Sequence, residues 1–353
     1  MRNRSSGFTI WELLAVVVVI VVLSSITFVS YKGLRKSAVE SSMKSDLITA
    51  VNSINDYLSK NGSYPTTQDC TSGYNPAPPK ICLRYTTGNT INYIRTKVGA
   101  EYSYCAYETN DNLIYSVSKD DKAPAVGACL NQGLAFNIDA SDAKSYSGGG
   151  TTWNDTVTGW KCYLTGVNYS ADGGGSMQFD GIVGHHADCG YPVNNLGLGT
   201  KSFTISVWVK EVASTCTWPI FFQAGGGGTS KGFYLRIFLD AGTIGYVIND
   251  GTNKIFTEYE SSMHVNKWQM YTVVFDRDLK VAQSYFNGTL VNGGATDLSS
   301  FGDMTPSSRF TVGDGNYDYP LNGNVSTVKI YNRALTSAEV AREYSNTRSR
   351  YGL

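Results

Sequence analysis

The sequence predicts an α+β fold followed by an all-β fold: a long N-terminal helix, a small disulfide-bonded β head and a C-terminal β-sandwich. Three observations carry this prediction. An uncharged apolar run leads into an amphipathic segment, short proline-flanked strands come next, and alternating strands with glycine-rich turns fill the second half. At 353 residues, the chain is long enough for about two folded domains.

The composition favours an extracellular protein and gives no sign of a nucleic-acid partner. The 29 Lys and Arg residues balance 29 Asp and Glu residues, so the formal net charge is zero. Charged residues make up only 16% of the chain, whereas Tyr (24) and Gly (37) are abundant. A polar but weakly charged surface of this kind suits a secreted β-rich module.

Residues 13–31 form an uncharged run, LLAVVVVIVVLSSITFVSY. At about 1.5 Å per residue, a helix of this run nearly matches the ~30 Å hydrocarbon core of a bilayer. A helix buried in a protein core is the alternative, but such a run near an N-terminus favours membrane insertion. We therefore expect a single-pass protein of the cytoplasmic membrane, at least before any assembly.

Glu12 stands at the edge of the apolar run, where a carboxylate is costly unless it finds a partner. Cleavage after Gly7 would create a cationic α-amino group on Phe8, one helical turn from Glu12. In an assembly, Glu12 of one subunit could neutralise the amine of the next. These residues predict processing between Gly7 and Phe8 and an assembly role for Glu12.

The segment RNRSSGFTIWELL at residues 2–14 resembles the leader and class III signal of type IV pilins and pseudopilins. The shared features are a basic leader, Gly7 before the cut, Phe8 as the first mature residue and Glu12 as the fifth. The resemblance implies a prepilin leader at residues 1–7 and cleavage and N-methylation of Phe8 by a prepilin peptidase. It also implies a filament with other pilin subunits, built on an inner-membrane assembly platform.

An amphipathic segment continues the helix beyond the apolar run. Apolar residues recur at three- and four-residue steps from Val39 to Leu58, which predicts one helical face packed on a head. Asn61 and Gly62 then supply a C-terminal cap signal. One helix is therefore expected over residues 8–60.

Residues 61–130 are short, polar and rich in proline, and they predict the pilin head. The G-x-Y-P element at residues 62–65 resembles the turn after the long helix of many pilins. Short strands are expected at Ile91–Lys97, Tyr102–Tyr107 and Leu113–Ser118. Because a head of this size has little core, cross-links would help to stabilise it.

The seven cysteines favour disulfides, since an exported chain folds in an oxidising compartment. Their spacing does not predict a zinc site. Proximity and the resemblance to the disulfide-bounded loop of pilins give two pairs in the head: Cys70–Cys82 and Cys105–Cys129. Of the other three, Cys189 is expected to bond either Cys162 or Cys216, which leaves one thiol over.

Residues 131–353 consist of short alternating strands between glycine-rich turns. Their length and spacing predict a two-sheet sandwich. One helix is expected near the end, where Thr336 and Glu339 form a capping box. The clearest strands are Phe203–Lys210, Gly232–Leu239, Thr243–Ile248, Trp268–Asp276 and Val325–Tyr331.

The ordered segments of this half resemble the laminin G-like, concanavalin A-like jelly roll. The resemblance covers most of residues 135–350 and implies a binding module for glycans or proteins, with some glycosidase relatives. Besides the strands above, it rests on AFNIDASDAKSYSGGGTTW at 135–153, SMQFDG at 176–181, FNG at 286–288 and LNGNVSTVKIYNRALTSAEVARE at 321–343.

A ligand site is predicted in the segment Asp314, Asn316, Tyr317, Asp318 and Tyr319. Asp314, Asn316 and Asp318 place oxygen side chains at alternate positions, which could hold calcium, and the two tyrosines could stack on a sugar. A simple Asp- and Gly-rich turn is the alternative. The function requires no cofactor, and calcium would be an addition to it.

Other polar features are interpreted as structural. His185 and His186 are expected to be loop residues rather than a metal pair, and Trp218 is expected to be a core residue. Glu258 and Glu260 place two carboxyl groups on one face of a strand. A retaining glycosidase needs such groups about 5–5.5 Å apart, but glucanase relatives use a longer Glu, Asp and Glu motif. We therefore expect no enzymatic activity.

Together these features predict a type IV pilus subunit, minor or tip-located, that becomes extracellular on assembly. Its lectin-like domain would adhere to a glycan or to a cell-surface protein. A pseudopilin of a type II secretion or DNA-uptake system is the alternative, and a pilus-tethered glycosidase is a third hypothesis.

Overall fold

The structure is a computed structural model of the chain. For residues 22–32, 96–98, 101, 238, 260 and 292 it describes the backbone alone. The described residues are 10–71, 73–98, 101–110, 113–190, 196–212, 216, 218–225, 230–238, 242–260, 265–306, 308–314 and 319–353.

Two compact units make up the chain. One combines Met1–Ile94 with Ala106–Pro124, and the other combines Arg95–Cys105 with Ala125–Leu353. The division of the sequence into residues 1–7, 8–60, 61–130 and 131–353 stays a prediction.

The first unit is built on helix α1 (Ile10–Asn61), which has 52 residues. The helix is the one predicted over residues 8–60, although Gly7 and Phe8 lie outside the described residues. Its second half buries Met43, Leu47 and Ile54 completely, as the amphipathic pattern requires. The amide of Gly62, in the left-handed region with φ of 70°, donates to the carbonyl oxygen of Leu58 at 2.8 Å and ends the helix.

The first half of α1 exposes apolar side chains. In the part of the chain that the structure describes, no helix has an apolar stretch long enough to cross a membrane. The predicted membrane segment, residues 13–31, includes residues 22–31, whose side chains lie outside the description. The exposed apolar residues, each between 47% and 78% exposed, are Ile10, Trp11, Leu13, Leu14, Val16, Val17, Val18, Val19, Ile20 and Val21.

The head strands follow the helix. Strands β1 and β2 pair in parallel, and β3, β4 and β5 are neighbours in one sheet. The three strands expected from the sequence are present as β3, β4 and β5. The bounds are β1 (Thr67–Gln68), β2 (Lys80–Ile81), β3 (Thr90–Val98), β4 (Glu101–Asn110), β5 (Leu113–Ser118) and β6 (Ala125–Val126).

The rest of the described chain forms the sandwich, together with helix α2 (Ser337–Thr347) and short 3₁₀ helices at Asp172–Gly174 and Arg348–Tyr351. Its strands are β7 (Leu134–Asp139), β8 (Thr152–Asn154), β9 (Lys161–Thr165), β10 (Asn168–Ser170), β11 (Ser176–Asp180), β12 (His186–Asp188), β13 (Phe203–Glu211), β14 (Ile220–Gly225), β15 (Gly232–Phe238), β16 (Thr243–Asn249), β17 (Lys254–Phe256), β18 (Tyr259–Glu260), β19 (Gln269–Asp276), β20 (Val281–Phe286), β21 (Thr289–Asp297), β22 (Phe310–Val312) and β23 (Asn322–Tyr331).

These strands form two sheets, which confirms the predicted sandwich. An eight-stranded sheet has the order β10-β11-β23-β13-β19-β20-β21, with β7 also paired to β23. A nine-stranded sheet has the order β17-β16-β15-β14-β22-β12-β9-β8, with β18 also paired to β16. Long crossovers between strands such as β14 and β22 therefore bring distant parts of the sequence side by side.

The core lies between the two sheets and is rich in aromatic rings. Phe203 of β13 stacks on Phe275 of β19 with ring centroids 4.4 Å apart, and it also contacts Phe233 of β15 at 5.1 Å. Helix α2, which begins with the predicted Thr336–Glu339 capping box, covers the outer face of the eight-stranded sheet. The C-terminal ring of Tyr351 stacks there on Trp208 at 3.9 Å.

Disulfides are present, as the cysteine content predicted. The disulfide in the region of β9 and β12 joins Cys162 to Cys189, so Cys162 rather than Cys216 is the partner of Cys189. Cys216 is the seventh cysteine and keeps its thiol. The other two bonds join the pairs named from the sequence: Cys70–Cys82 and Cys105–Cys129.

Candidate functional site

Four aromatic rings surround the guanidinium of Arg236 on the outer face of the nine-stranded sheet. The distances from the guanidinium carbon to the ring centroids are 5.3 Å for Trp218 and 5.4 Å for Tyr234. They are 5.7 Å for Phe256 and 5.2 Å for Tyr319. We call these four residues the aromatic patch.

Strand periodicity places two members of this cluster. Because successive side chains of a strand point to opposite faces, buried Phe233 and Leu235 of β15 turn Tyr234 and Arg236 outward. Tyr234 lies opposite Val247 of β16. Val247 in turn lies opposite Phe256 of β17, so Phe256 joins the same outward row.

Two loops supply the other rings of the patch. Trp218 comes just before β14, and Tyr319 comes just before β23. A backbone hydrogen bond from the amide of Ile220 to the carbonyl oxygen of Tyr319, at 3.0 Å, ties these loops together. The carbonyl oxygen of Trp218 accepts a hydrogen bond from Nη2 of Arg236 at 3.1 Å. Arg236 therefore holds the loop of Trp218 as well as facing its ring.

The patch is open to solvent although its centre is buried. Trp218 is 43% exposed, Phe256 52% and Tyr319 37%, whereas Arg236 is only 4% exposed. Burial lowers the pKa of the Arg236 guanidinium, which nevertheless stays charged because an arginine does not deprotonate in proteins. Each ring over a guanidinium contributes about 0.5–2 kcal/mol. The outcome is a set of exposed rings held in fixed positions, which is typical of a ligand-binding surface.

The Cys216 thiol is electrostatically coupled to this cluster. Burial raises its pKa, and the nearby Asp314 and Glu211 add to that effect, while Arg236 opposes it. A thiol with a raised pKa is a poor nucleophile. The arrangement therefore does not point to a cysteine-based reaction.

Glu211, at the end of β13, is a buried carboxyl group that the sequence analysis did not single out. It is 1% exposed, and neither of its side-chain oxygens has a hydrogen-bond partner among the described residues. Burial raises its pKa to about 8. The group is therefore protonated and neutral at physiological pH.

The ligand site predicted from the sequence is only partly described. Asn316, Tyr317 and Asp318 lie outside the described residues, and Tyr319 belongs to the aromatic patch. Asp314 is 2% exposed, and its carboxylate accepts hydrogen bonds from the amide of Gly184 at 2.9 Å and from the amide of Tyr319 at 3.3 Å. The described residues contain no group of three or more His, Cys, Asp or Glu side chains placed to hold a metal ion.

Trp218 is not the core residue that the sequence analysis expected. The bulge in the pairing of β14 with β15 lies just beyond it, and the ring stays on the surface over Arg236. His185 lies in a loop, where its Nδ1 is 2.9 Å from Oδ1 of Asp180. His186 is not the loop residue that the sequence predicted: it begins strand β12 and is buried, with its Nδ1 2.8 Å from the carbonyl oxygen of Gly184.

The two glutamates that suggested a glycosidase flank Tyr259, which turns inward and places its hydroxyl 2.7 Å from Oγ1 of Thr296. Glu258 is exposed and accepts a hydrogen bond from Oγ1 of Thr243 at 2.7 Å. The side chain of Glu260 lies outside the described residues. No reaction is assigned to these groups.

Residues 186–341 match a laminin G-type family described as the concanavalin A-like lectin/glucanases superfamily. The C-terminal sandwich is a concanavalin A-like jelly-roll domain. The chain is also similar to the type II secretion system core protein G of Aeromonas hydrophila. That protein is 31% identical over 67 residues, which are 19% of this chain and 47% of the relative.

Solved structures similar to the chain include the sialidase of Trypanosoma rangeli, at 12% identity and a TM-score of 0.49 over 74% of this chain and 54% of the sialidase. The receptor-binding domain of botulinum neurotoxin type G has 17% identity and a TM-score of 0.45 over 61% of this chain and 51% of that domain. The chain thus spans about half the length of the proteins it matches. We draw no functional conclusion from structural likeness at this level.

Proposed function

We propose that the chain is a pilin-like subunit that displays a lectin-like domain for adhesion to a glycan. The observation that carries the binding part of this proposal is the aromatic patch around Arg236. Three of its rings are more than a third exposed, and a buried cation fixes them in place. Flat apolar rings on a rigid sheet suit the C–H face of a sugar, and the polar edges of Tyr and Trp suit its hydroxyl groups.

The pilin part of the proposal is supported by the N-terminal helix and by the similarity to a secretion-system core protein. The apolar first half of α1 is exposed in the single chain, so it needs a membrane or neighbouring subunits to cover it. Processing between Gly7 and Phe8, assembly through Glu12 and final display outside the cell belong to this proposal. Its partners would be a prepilin peptidase, an inner-membrane assembly platform and other pilin subunits.

The similarity to the type II secretion system core protein G favours a second candidate function, a pseudopilin of a secretion system. The two functions differ in the final location of the sandwich domain. Antibody labelling of the sandwich on intact cells separates them, because a displayed pilus subunit is labelled outside the cell and a pseudopilin in the cell envelope is not. Calcium binding by residues 314–318 stays a hypothesis that belongs to either function.

Replacing Trp218 by Ala should weaken glycan binding by the full-length protein. Truncation of a central aromatic residue in a binding site costs about 2 kcal/mol, or roughly 30-fold in Kd. The matched control is Trp160→Ala, because Trp160 is similarly exposed, at 40% against 43% for Trp218, but is not part of the patch. A glycan array identifies the ligand, and calorimetry on the variants then gives the two affinities.

The result would contradict the proposal if Trp160→Ala and Trp218→Ala weakened binding equally, or if no glycan bound at all. Release of reducing sugar from a bound glycan, lost in Glu258→Gln, would replace the adhesin by the glycosidase hypothesis.

A further inference from the structure

Another buried carboxyl group lies next to helix α1, within the first compact unit. Glu108 of β4 is 0% exposed, and neither of its carboxylate oxygens accepts a hydrogen bond from the described residues. It nevertheless lies within side-chain contact of Asp46 of α1 and of the amide of Asn89. Two carboxylates can only accept hydrogen bonds, so the contact between Glu108 and Asp46 becomes a hydrogen bond only when one of them carries a proton.

Asp46 is the member of the pair whose carboxylate receives hydrogen bonds from the neighbouring turn. Its carboxylate accepts hydrogen bonds from the amide of Thr86 at 2.6 Å, from Oγ1 of Thr86 at 3.0 Å and from Nδ2 of Asn89 at 3.1 Å. Hydrogen bonds to a carboxylate stabilise its charged form. We therefore place the proton on Glu108, which is fully buried and has no hydrogen bond of that quality to either oxygen among the described residues.

The same contacts fasten α1 to a loop of the head. Thr86 and Asn89 close a turn, in which the amide of Asn89 donates to the carbonyl oxygen of Thr86 at 3.0 Å. Asn110, near the end of the strand that carries Glu108, donates from Nδ2 to Oδ1 of Asn89 at 2.7 Å. Helix, turn and strand thus meet at the Asp46–Glu108 pair.

The electrostatic surroundings of Glu108 are simple. Burial raises its pKa to about 8, the hydrogen-bonding contact and the charge of Asp46 add to this, and Asn89 opposes it. Among the described residues, Asp46 is the one charged group that acts on Glu108. Lys44, which also lies on α1, places its ammonium 5.1 Å from the ring centroid of Tyr115 on β5.

We propose that Asp46 and Glu108 share one proton and form a pH-sensitive lock that fastens α1 to residues 86–89. With the proton present, the two carboxyl groups are hydrogen-bonded to each other and carry a single negative charge. Hydrogen bonds from Thr86 and Asn89 stabilise this charge. Loss of the proton leaves two like charges side by side, one of them on the fully buried Glu108. The contact of α1 with the turn should then open.

The direction of the pH effect follows from the two pKa values of Glu108. The folded chain keeps the proton up to about pH 8, whereas the unfolded chain loses it near the ordinary value of 4.5. The lock therefore contributes its full stability when the pH is below 4.5, the ordinary pKa of the glutamate carboxyl group. This contribution falls as the pH rises and is lost at about pH 8, the pKa of Glu108 in the folded chain. It opens on the alkaline side.

The test uses the full-length chain in detergent micelles, with the side-chain carboxyl carbons of glutamate labelled with ¹³C. We expect two carboxyl signals that titrate near pH 8, from Glu108 and Glu211, and the one that disappears in Glu108→Gln is the Glu108 signal. Its midpoint should fall in Asp46→Asn, because the like charge is gone. Hydrogen exchange of residues 86–89, corrected for the intrinsic effect of pH, should rise through the same range in the unaltered chain and stay flat in Glu108→Gln.

Glu211→Gln is the matched control, because it removes another buried glutamate with a raised pKa and should leave the exchange of residues 86–89 unchanged. The proposal is wrong if no carboxyl signal that titrates near pH 8 disappears in Glu108→Gln. It is also wrong if the hydrogen exchange of residues 86–89 changes equally with pH in Glu108→Gln and in the unaltered chain. A shift of the Glu108 signal on adding calcium chloride at constant pH, reversed by EDTA, would assign the pair to a metal ion and also overturn the proton lock.

Discussion

A Glu12→Ala variant should be processed and inserted like the unaltered chain but should be almost absent from sheared filaments. In the proposed assembly, the carboxylate of Glu12 neutralises the α-amino group of Phe8 on a neighbouring subunit. Removal of one partner of a buried ion pair typically costs ~3–5 kcal/mol, because the other charge stays buried alone. That corresponds to roughly two to four orders of magnitude in an association constant.

The surroundings of Glu12 explain why the expected effect is large. Its neighbours Trp11 and Leu13 are 78% and 59% exposed in the single chain, and packing of these side chains in a filament removes water from the carboxylate between them. Glu12→Gln keeps the size of the side chain but loses its charge, so it should also fail to assemble, although less completely.

The matched control is Glu40→Ala on the same helix. Glu40 forms a solvent-accessible ion pair with Lys36, which lies four positions earlier on the helix, with Oε1 and Nζ 3.9 Å apart. Such pairs contribute at most a few tenths of a kcal/mol, so this variant should enter filaments normally. The subunit level in sheared filaments, measured against the membrane pool, decides the outcome. Normal incorporation of Glu12→Ala after normal processing would disprove the charge-pair role.

The helix and the strands were predictable from the sequence because their side chains repeat with a regular period. The three- and four-residue steps from Val39 to Leu58 gave the buried face of α1, and two-residue alternation gave strands such as β13 and β15. Both signals are local, and the segments that carry them are long enough to outweigh single exceptions. Turn and cap signals such as Thr336 and Glu339 are local as well.

The aromatic patch could not be predicted in this way because its members come from four separate segments. The register of β15, β16 and β17 and a backbone contact between two loops bring Trp218, Tyr234, Phe256 and Tyr319 around Arg236. One signal was available: in GFYLRIF at residues 232–238, an aromatic residue and an arginine alternate with apolar residues, which indicates an outer face with unusual chemistry.

The partner of Cys189 stayed open for a similar reason. Its sequence separation from Cys162 is 27 residues, the same as its separation from Cys216. Only the antiparallel pairing of β9 with β12 decides between them.

The burial of Glu108 and Glu211 could not be predicted from the sequence either. Each of them follows a run of strand residues, and a carboxylate in a strand is ordinarily expected to face the solvent.

Replacing Glu211 by Gln should stabilise the sandwich at alkaline pH and flatten its pH dependence. The pKa of this buried carboxyl group is about 8 in the folded chain, against an ordinary value of 4.5. Between these values the folded state holds a proton that the unfolded state has lost, so the free energy of unfolding falls as the pH rises. At about 1.4 kcal/mol per pH unit, the loss amounts to about 5 kcal/mol across this range.

Gln keeps the shape of the side chain and cannot ionise, so the variant should gain most of this free energy near pH 8 and little near the ordinary pKa. The matched control is Glu258→Gln, because Glu258 belongs to the same sandwich but is exposed; it should leave the pH dependence unchanged. The free energy of unfolding of both variants is measured by urea unfolding of the full-length chain at acidic and alkaline pH. Hydrogen exchange of the β13 amides reports the unfolding of the sandwich. If Glu211→Gln and the unaltered chain lose stability in parallel as the pH rises, Glu211 is not the group that takes up the proton. Equal flattening in Glu258→Gln would instead place the titrating carboxyl group on the surface of the sandwich.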